Sequence, residues 1–243
     1  MRNSKSLLKM ITLSMLIALG VVISPILRVE GMCPMAHFIN IVCSVFLGPW
    51  YSLLCATLIG IIRMITMGIP PIALTGAIFG AFLSGVFYRA SKGRILFAVL
   101  GEIIGTGIIG AIISYPVMAF FWGKEGLSWL FYVPSFICGT LIGGSIAYVF
   151  LRKFAANGML ARIQSMLGSQ SYLEHTSTLS NALTIAAFGA ILFVTIEIAS
   201  GIFKLTGVFW DKLSYTSLIA CGVAAILYYI GKKVKGIHAE NNF

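Results

Sequence analysis

The sequence predicts an all-α integral membrane protein, and three observations carry that prediction. Of its 243 residues, 59% are hydrophobic and only 10% charged, with a mean hydropathy of +0.99, too apolar for a soluble chain of this length. The apolar residues fall into runs at 7–27, 35–67, 69–88, 95–122, 129–151, 179–203 and 215–230. Basic residues gather between these runs, so the formal charge of +10 is read as a topology signal and not as affinity for nucleic acid.

A membrane crossing takes about 20 helical residues, so six of the runs are read as single spans. The first follows a basic start (Arg2, Lys5, Lys9) and is broken only by Lys9, Thr12, Ser14 and Ser24. It is too long for the apolar core of a secretory signal, and no small-x-small cleavage site follows, so a retained first span is expected. The second run, 33 residues long, contains Gly48-Pro49-Trp50. A proline without an N–H beside a glycine favours a tight break, and the charges agree with one. With a turn at that point, Arg2, Lys5, Lys9, Arg89, Lys92, Arg94, Arg152, Lys153, Arg162, Lys232, Lys233 and Lys235 share one side, twelve of the 17 basic residues. Without it, three of those four clusters fall on the opposite side, against the positive-inside tendency. The run is therefore read as two short spans, roughly 35–48 and 50–67.

The result is eight spans with both termini cytoplasmic. Residues 1–153 form a six-span domain. A connector over 154–180 follows, whose Met159, Leu160, Ile163, Met166 and Leu167 share a helical face beside Arg162 and Gln164, as in a short helix at the inner interface. Residues 181–243 supply two more spans and a basic tail. Five cysteines (Cys33, Cys43, Cys55, Cys138, Cys221) lack metal-binding spacing, and all but Cys33 lie in apolar runs, so neither disulfide nor metal is expected. Small residues four apart, which let helices approach closely, mark Gly76, Gly80 and Ser84, then Gly101 and Gly105, then Gly139 and Gly143, with a fainter pair at Ser14 and Ala18.

Polar groups inside the spans are the candidates for function, since membrane tolerates them poorly. His37 is expected at the outer end of its span, Asn40 one turn deeper on the same face, and Arg63 one turn from the outer end of the next span. These three converge beneath the outer surface as a candidate binding site. Glu102, eight residues after Arg94, is expected in the inner half of its span with Thr106 one turn above, in a structural or substrate-binding role. Glu197, with Lys204 on a similar face, is read as interfacial. Tyr115 beside Pro116 and Tyr132 beside Pro134 are candidate pocket walls, suited to a small, largely neutral heterocycle. No phosphate-binding loop, His-Glu-x-x-His motif or Gly-x-Ser-x-Gly elbow is present, and the residues offer no chemistry beyond binding.

Several stretches resemble the ThiW family, the substrate-capture (S) components of energy-coupling-factor transporters associated with uptake of the thiazole precursor of thiamine. They are His37-x-x-Asn40, Leu47-Gly48-Pro49-Trp50-Tyr51, Gly60-Ile-Ile-Arg63, Gly76-Ala-Ile-Phe-Gly80-Ala, Gly101-Glu-Ile-Ile-Gly-Thr-Gly-Ile-Ile-Gly-Ala111 and Tyr115-Pro116, within residues 7–153. The resemblance implies a six-helix S-component bundle in a bacterial cytoplasmic membrane, here with two extra C-terminal helices. It implies hydroxyethylthiazole or a close relative as ligand, with His37, Asn40 and Arg63 hydrogen-bonding it and Tyr115 stacking. It also implies partners, namely a transmembrane coupling subunit docked on Ser14 and Ala18 and two ABC-type ATPases, with no cofactor and no enzymatic activity. Arg63-Met64 stands where relatives often carry Arg-Asn, and Leu74-Thr75-Gly76-Ala77 where they carry Pro-Gly-Ser. The alternatives are an S component for a different vitamin and a small membrane enzyme acting on a lipid through His37, Arg63 and Glu102; the latter requires Glu102 beside Arg63.

Overall fold

The computed structural model describes residues 2–26, 32–172 and 207–240, with isolated positions between 178 and 200. All regular elements among these are helical. They are α1 (Arg2–Ile23), α2 (Pro34–Leu47), α3 (Pro49–Met67), α4 (Ile72–Ala90), α5 (Ile95–Phe121), α6 (Val133–Ala156), α7 (Met159–Leu167) and α8 (Val208–Glu240). Among the described residues six helices are long and apolar enough to cross a membrane, namely α1, α3, α4, α5, α6 and α8, while α2 is a shorter apolar helix of 14 residues. The 179–203 run, with Glu197 and Lys204, lies largely outside the described residues.

The long second run does break at Gly48-Pro49. Gly48 takes φ +92° and ψ 179°, a conformation open essentially only to glycine. Pro49 then opens α3, where its missing N–H costs nothing. The Gly48 backbone also makes room for Arg89: a Cβ there would lie 2.8 Å from the guanidinium carbon. The hairpin of α2 and α3 is thus pinned at this end by the last turn of α4.

Helix α2 is the central post. Twelve of its fourteen residues are buried, because α1, α3, α4, α5, α6 and α7 all pack against it. The core around it contains Ile39, Ile41, Leu47, Ile95 and Leu151, each less than 2% exposed. The glycine stripes of α4 and α5 face each other, as expected of packing within the chain. A Cβ on Gly105 would stand 2.5 Å from Gly80 Cα, and one on Gly101 would stand 2.5 Å from the Leu83 carbonyl oxygen. On α6, Gly143 meets the Pro34 carbonyl of α2. Ser14 and Ala18 remain exposed on α1, beside exposed Met10, Ile11 and Met15.

Residues 1–174 form one compact unit, which includes α7. Helix α7 packs on α1, α2 and α6, burying Leu160, Gln164 and Leu167. Gln164 is wholly buried; its Nε2 donates to the Val45 carbonyl at 2.9 Å and to Tyr88 Oη at 3.0 Å. The second unit, residues 175–243, contains α8, whose Val208, Ile219, Ile226 and Leu227 are each at least 60% exposed. Within it Asn181 Nδ2 donates to Tyr228 Oη at 3.1 Å.

Candidate binding site

The site is built where α2, α3, α4, α5 and α6 meet. After Glu102, α5 changes from α-helix to π-helix over Ile103–Gly110, a wider winding often found at functional positions. The run is Ile-Ile-Gly-Thr-Gly-Ile-Ile-Gly, so its glycines lie flat against α4 and α6 while Thr106 points to the interior. Thr106 is 1% exposed and its Oγ1 donates to Glu102 Oε1 at 3.1 Å.

Glu102 gathers the polar interior. Its Oε1 also accepts from Asn40 Nδ2 at 3.0 Å and pairs with His37 Nδ1 at 2.9 Å. Asn40 and Thr106 are both donors here, so the carboxyl oxygen acts as an acceptor and His37 presents Nδ1–H to it. This fixes the imidazole and leaves Nε2 on the other edge of the ring, toward Gly139, where an added Cβ would lie 3.3 Å away. Asn40 is held twice, because Ser52 Oγ donates to its backbone carbonyl at 2.9 Å. Glu102 Oε2, buried against Gly80, has no hydrogen-bond partner among the described residues.

Glu102 stands in the half of α5 nearer Arg94; what differs from the expectation is its separation from His37 and Asn40, which share its level. Asn40 stands seven residues from Leu47 (47 − 40), and Glu102 stands seven from Ile95 (102 − 95). Both are about 10 Å from the Gly48 end of the bundle at about 1.5 Å per residue. Because α2 has 14 residues and not about 20, the middle of α2 meets the first third of α5.

Above this cluster lies a cavity with an empty volume of about 530 Å³ including its open mouth. His37, Arg63 and Thr106 supply its polar lining, while Ile69, Ile72 and Phe136 are among its apolar walls. Arg63 is only 4% exposed. No hydrogen bond or ion pair to it is formed among the described residues, and its Nε is buried without a partner.

The structure thus brings His37, Arg63 and Thr106 to one cavity and sets Asn40 and Glu102 directly behind His37. Tyr115 stands apart: its ring stacks on Trp129 at 4.6 Å between centroids, and it does not line the cavity. Tyr132 is buried in an apolar cluster with Ala111, Met118 and Phe136. Phe136, missed in the sequence, is the aromatic wall, and its signal was present in the four-residue spacing to Thr140 and Gly144 along the buried face of α6. The arrangement can bind and orient a small molecule. Glu102 is beside His37, with no carboxylate within ion-pairing distance of Arg63 among the described residues, so the triad needed for the lipid-enzyme alternative does not assemble.

Residues 10–157 match the family model described as thiamine-precursor transporter protein (ThiW). The chain belongs to the ThiW family. The match covers α2 to α6 entirely and most of α1, so every residue of the site lies inside it. This ThiW protein is accordingly a membrane transporter component for a small molecule and not an enzyme. No curated protein and no solved structure matches the chain.

Proposed function

We propose that this ThiW protein is the substrate-capture subunit of an energy-coupling-factor importer, and that its ligand is the thiazole precursor of thiamine, hydroxyethylthiazole or a close relative. The observation that carries this reading is the cavity itself: an apolar recess walled by Ile69, Ile72 and Phe136, with three converging polar side chains, in a chain of a thiamine-precursor transporter family. A flat heterocycle would lie against Phe136. His37, held by Glu102, would meet a ring heteroatom, and Thr106 and Arg63 would meet polar substituents.

In this reading the Arg63 end faces outward and both termini face the cytoplasm, as the basic residues at the opposite end favour. Delivery is by reorientation against a transmembrane coupling subunit driven by two ABC-type ATPases, with the exposed Ser14 and Ala18 face of α1 as the docking surface. Neither ATP chemistry nor a cofactor is asked of this chain.

The test is a tryptophan-fluorescence titration of the purified full chain with hydroxyethylthiazole, backed by calorimetry, with riboflavin and the thiamine pyrimidine as controls. Saturable binding of the thiazole alone, weakened at least about tenfold by His37→Ala, is the expected result, a loss equal to one good hydrogen bond. Binding of riboflavin or the pyrimidine in preference would reassign the vitamin, and no binding of any would remove the proposal.

A further inference from the structure

We propose that the ligand held in this cavity carries an oxyanion, a carboxylate or phosphate, and that Arg63 is the residue that selects for it. This rests on the reading of the cavity as the thiazole-precursor site and narrows the ligand from a neutral alcohol to an acidic relative.

The argument starts from charge. A guanidinium removed from water loses strong solvation, and proteins restore it with a carboxylate or a set of hydrogen-bond acceptors. Arg63 is 4% exposed and among the described residues has neither: no hydrogen bond or ion pair to it is formed there, and its Nε is buried without a partner. Glu102 cannot serve as the missing counter-charge. It lies behind the cavity wall, its Oε1 already takes three donors, and it forms no ion pair with Arg63. Among the described residues Arg63 is thus the one member of the cavity lining with a permanent charge, and that charge is positive.

A second feature adds to the same field. The lining includes Cys33, Ala36 and His37, the cap and first turn of α2. That helix has 14 residues and no acidic side chain in its first turn, so the positive end of its dipole faces the cavity. A neutral hydroxyl can accept one hydrogen bond from Arg63 but leaves the charge unbalanced. An oxyanion accepts two and balances it, in the geometry that guanidinium groups prefer.

The experiment compares, by calorimetry on the full chain, hydroxyethylthiazole with two acidic thiazoles of the same ring: its phosphate ester and 4-methylthiazole-5-carboxylate. The expected result is that one acid binds at least about tenfold tighter than the alcohol, and the two arms identify which oxyanion fits. Arg63→Gln should abolish that preference, bringing the acids and the alcohol within about threefold of one another, and Arg63→Lys should retain part of it; monodispersity and thermal unfolding of both variants check the fold. If the alcohol binds as tightly as both acids, or Arg63→Gln leaves the preference intact, the inference falls while the thiazole reading stands. If no thiazole binds but a control vitamin does, both fall together.

Discussion

Two buried polar centres stand at different heights in this bundle, and they look alike until their surroundings are compared. At the lower one, Gln164 of α7 is wholly buried and reaches the Val45 carbonyl and Tyr88 Oη. At the upper one, Glu102 is equally buried and accepts from His37, Asn40 and Thr106. The first lies within packed side chains of the main core, among them Leu160 and Leu167. The second backs onto an open cavity that is also lined by Arg63, whose Nε has no partner among the described residues. Burial of a polar group therefore does not mark a site by itself. What separates the two is empty space: Gln164 Oε1 is also without a partner among the described residues but lies within packed side chains, so the lower centre fastens α7 to the bundle, whereas the upper one borders a cavity.

The sharpest way to break this comparison is Glu102→Leu. It removes the acceptor shared by three buried donors, each costing about 1–3 kcal/mol when left unpaired, and frees the His37 ring. Thermal stability of the purified chain should fall markedly and thiazole affinity by at least about thirtyfold, whereas Glu102→Gln, which keeps an acceptor oxygen, should recover most of the stability. A Glu102→Leu protein that still binds normally would make the upper centre as structural as the lower.

Gln164→Leu should show the opposite pattern. Unfolding stability drops by about 1 kcal/mol, since the Val45 carbonyl and Tyr88 hydroxyl lose a donor but no cavity opens, while the dissociation constant for the thiazole stays within about twofold. The smallest effect is expected for Tyr115→Leu. Its ring packs on Trp129 and does not line the cavity, so affinity should move by less than about twofold; a tenfold loss in the same titration would return Tyr115 to the site.

Much of this was readable from residues. Gly48-Pro49 announced the break in the second run because only glycine takes that backbone conformation readily and only proline opens a helix without wasting a donor. The glycine stripes of α4 and α5 announced their contact because a four-residue spacing keeps small residues on one face. The pairing of His37 with Glu102 was hidden for a definite reason: an apolar run does not declare where along its length a helix begins, and a helix six residues shorter than a full span shifts every depth measured from its outer end. The burial of Gln164 was legible and overlooked. It stands four residues after Leu160 and three before Leu167, on the packed face of α7 and not beside Arg162.

The shortness of α2 has one more consequence. From their shared turn at Gly48, α3 runs 19 residues and α2 only 14, so α2 gives out about 7 Å sooner. Arg63, fourteen residues along α3 (63 − 49), stands at the level where α2 stops, and Cys33 and Met32, the residues that lead into α2, line the same cavity. The recess is made by omission: a turn and a half of apolar helix is missing from the middle of the bundle, and the cavity is the vacated storey. Room for a larger or smaller guest can then be adjusted by the length of one element, in steps of about 1.5 Å, without touching the polar floor beneath it.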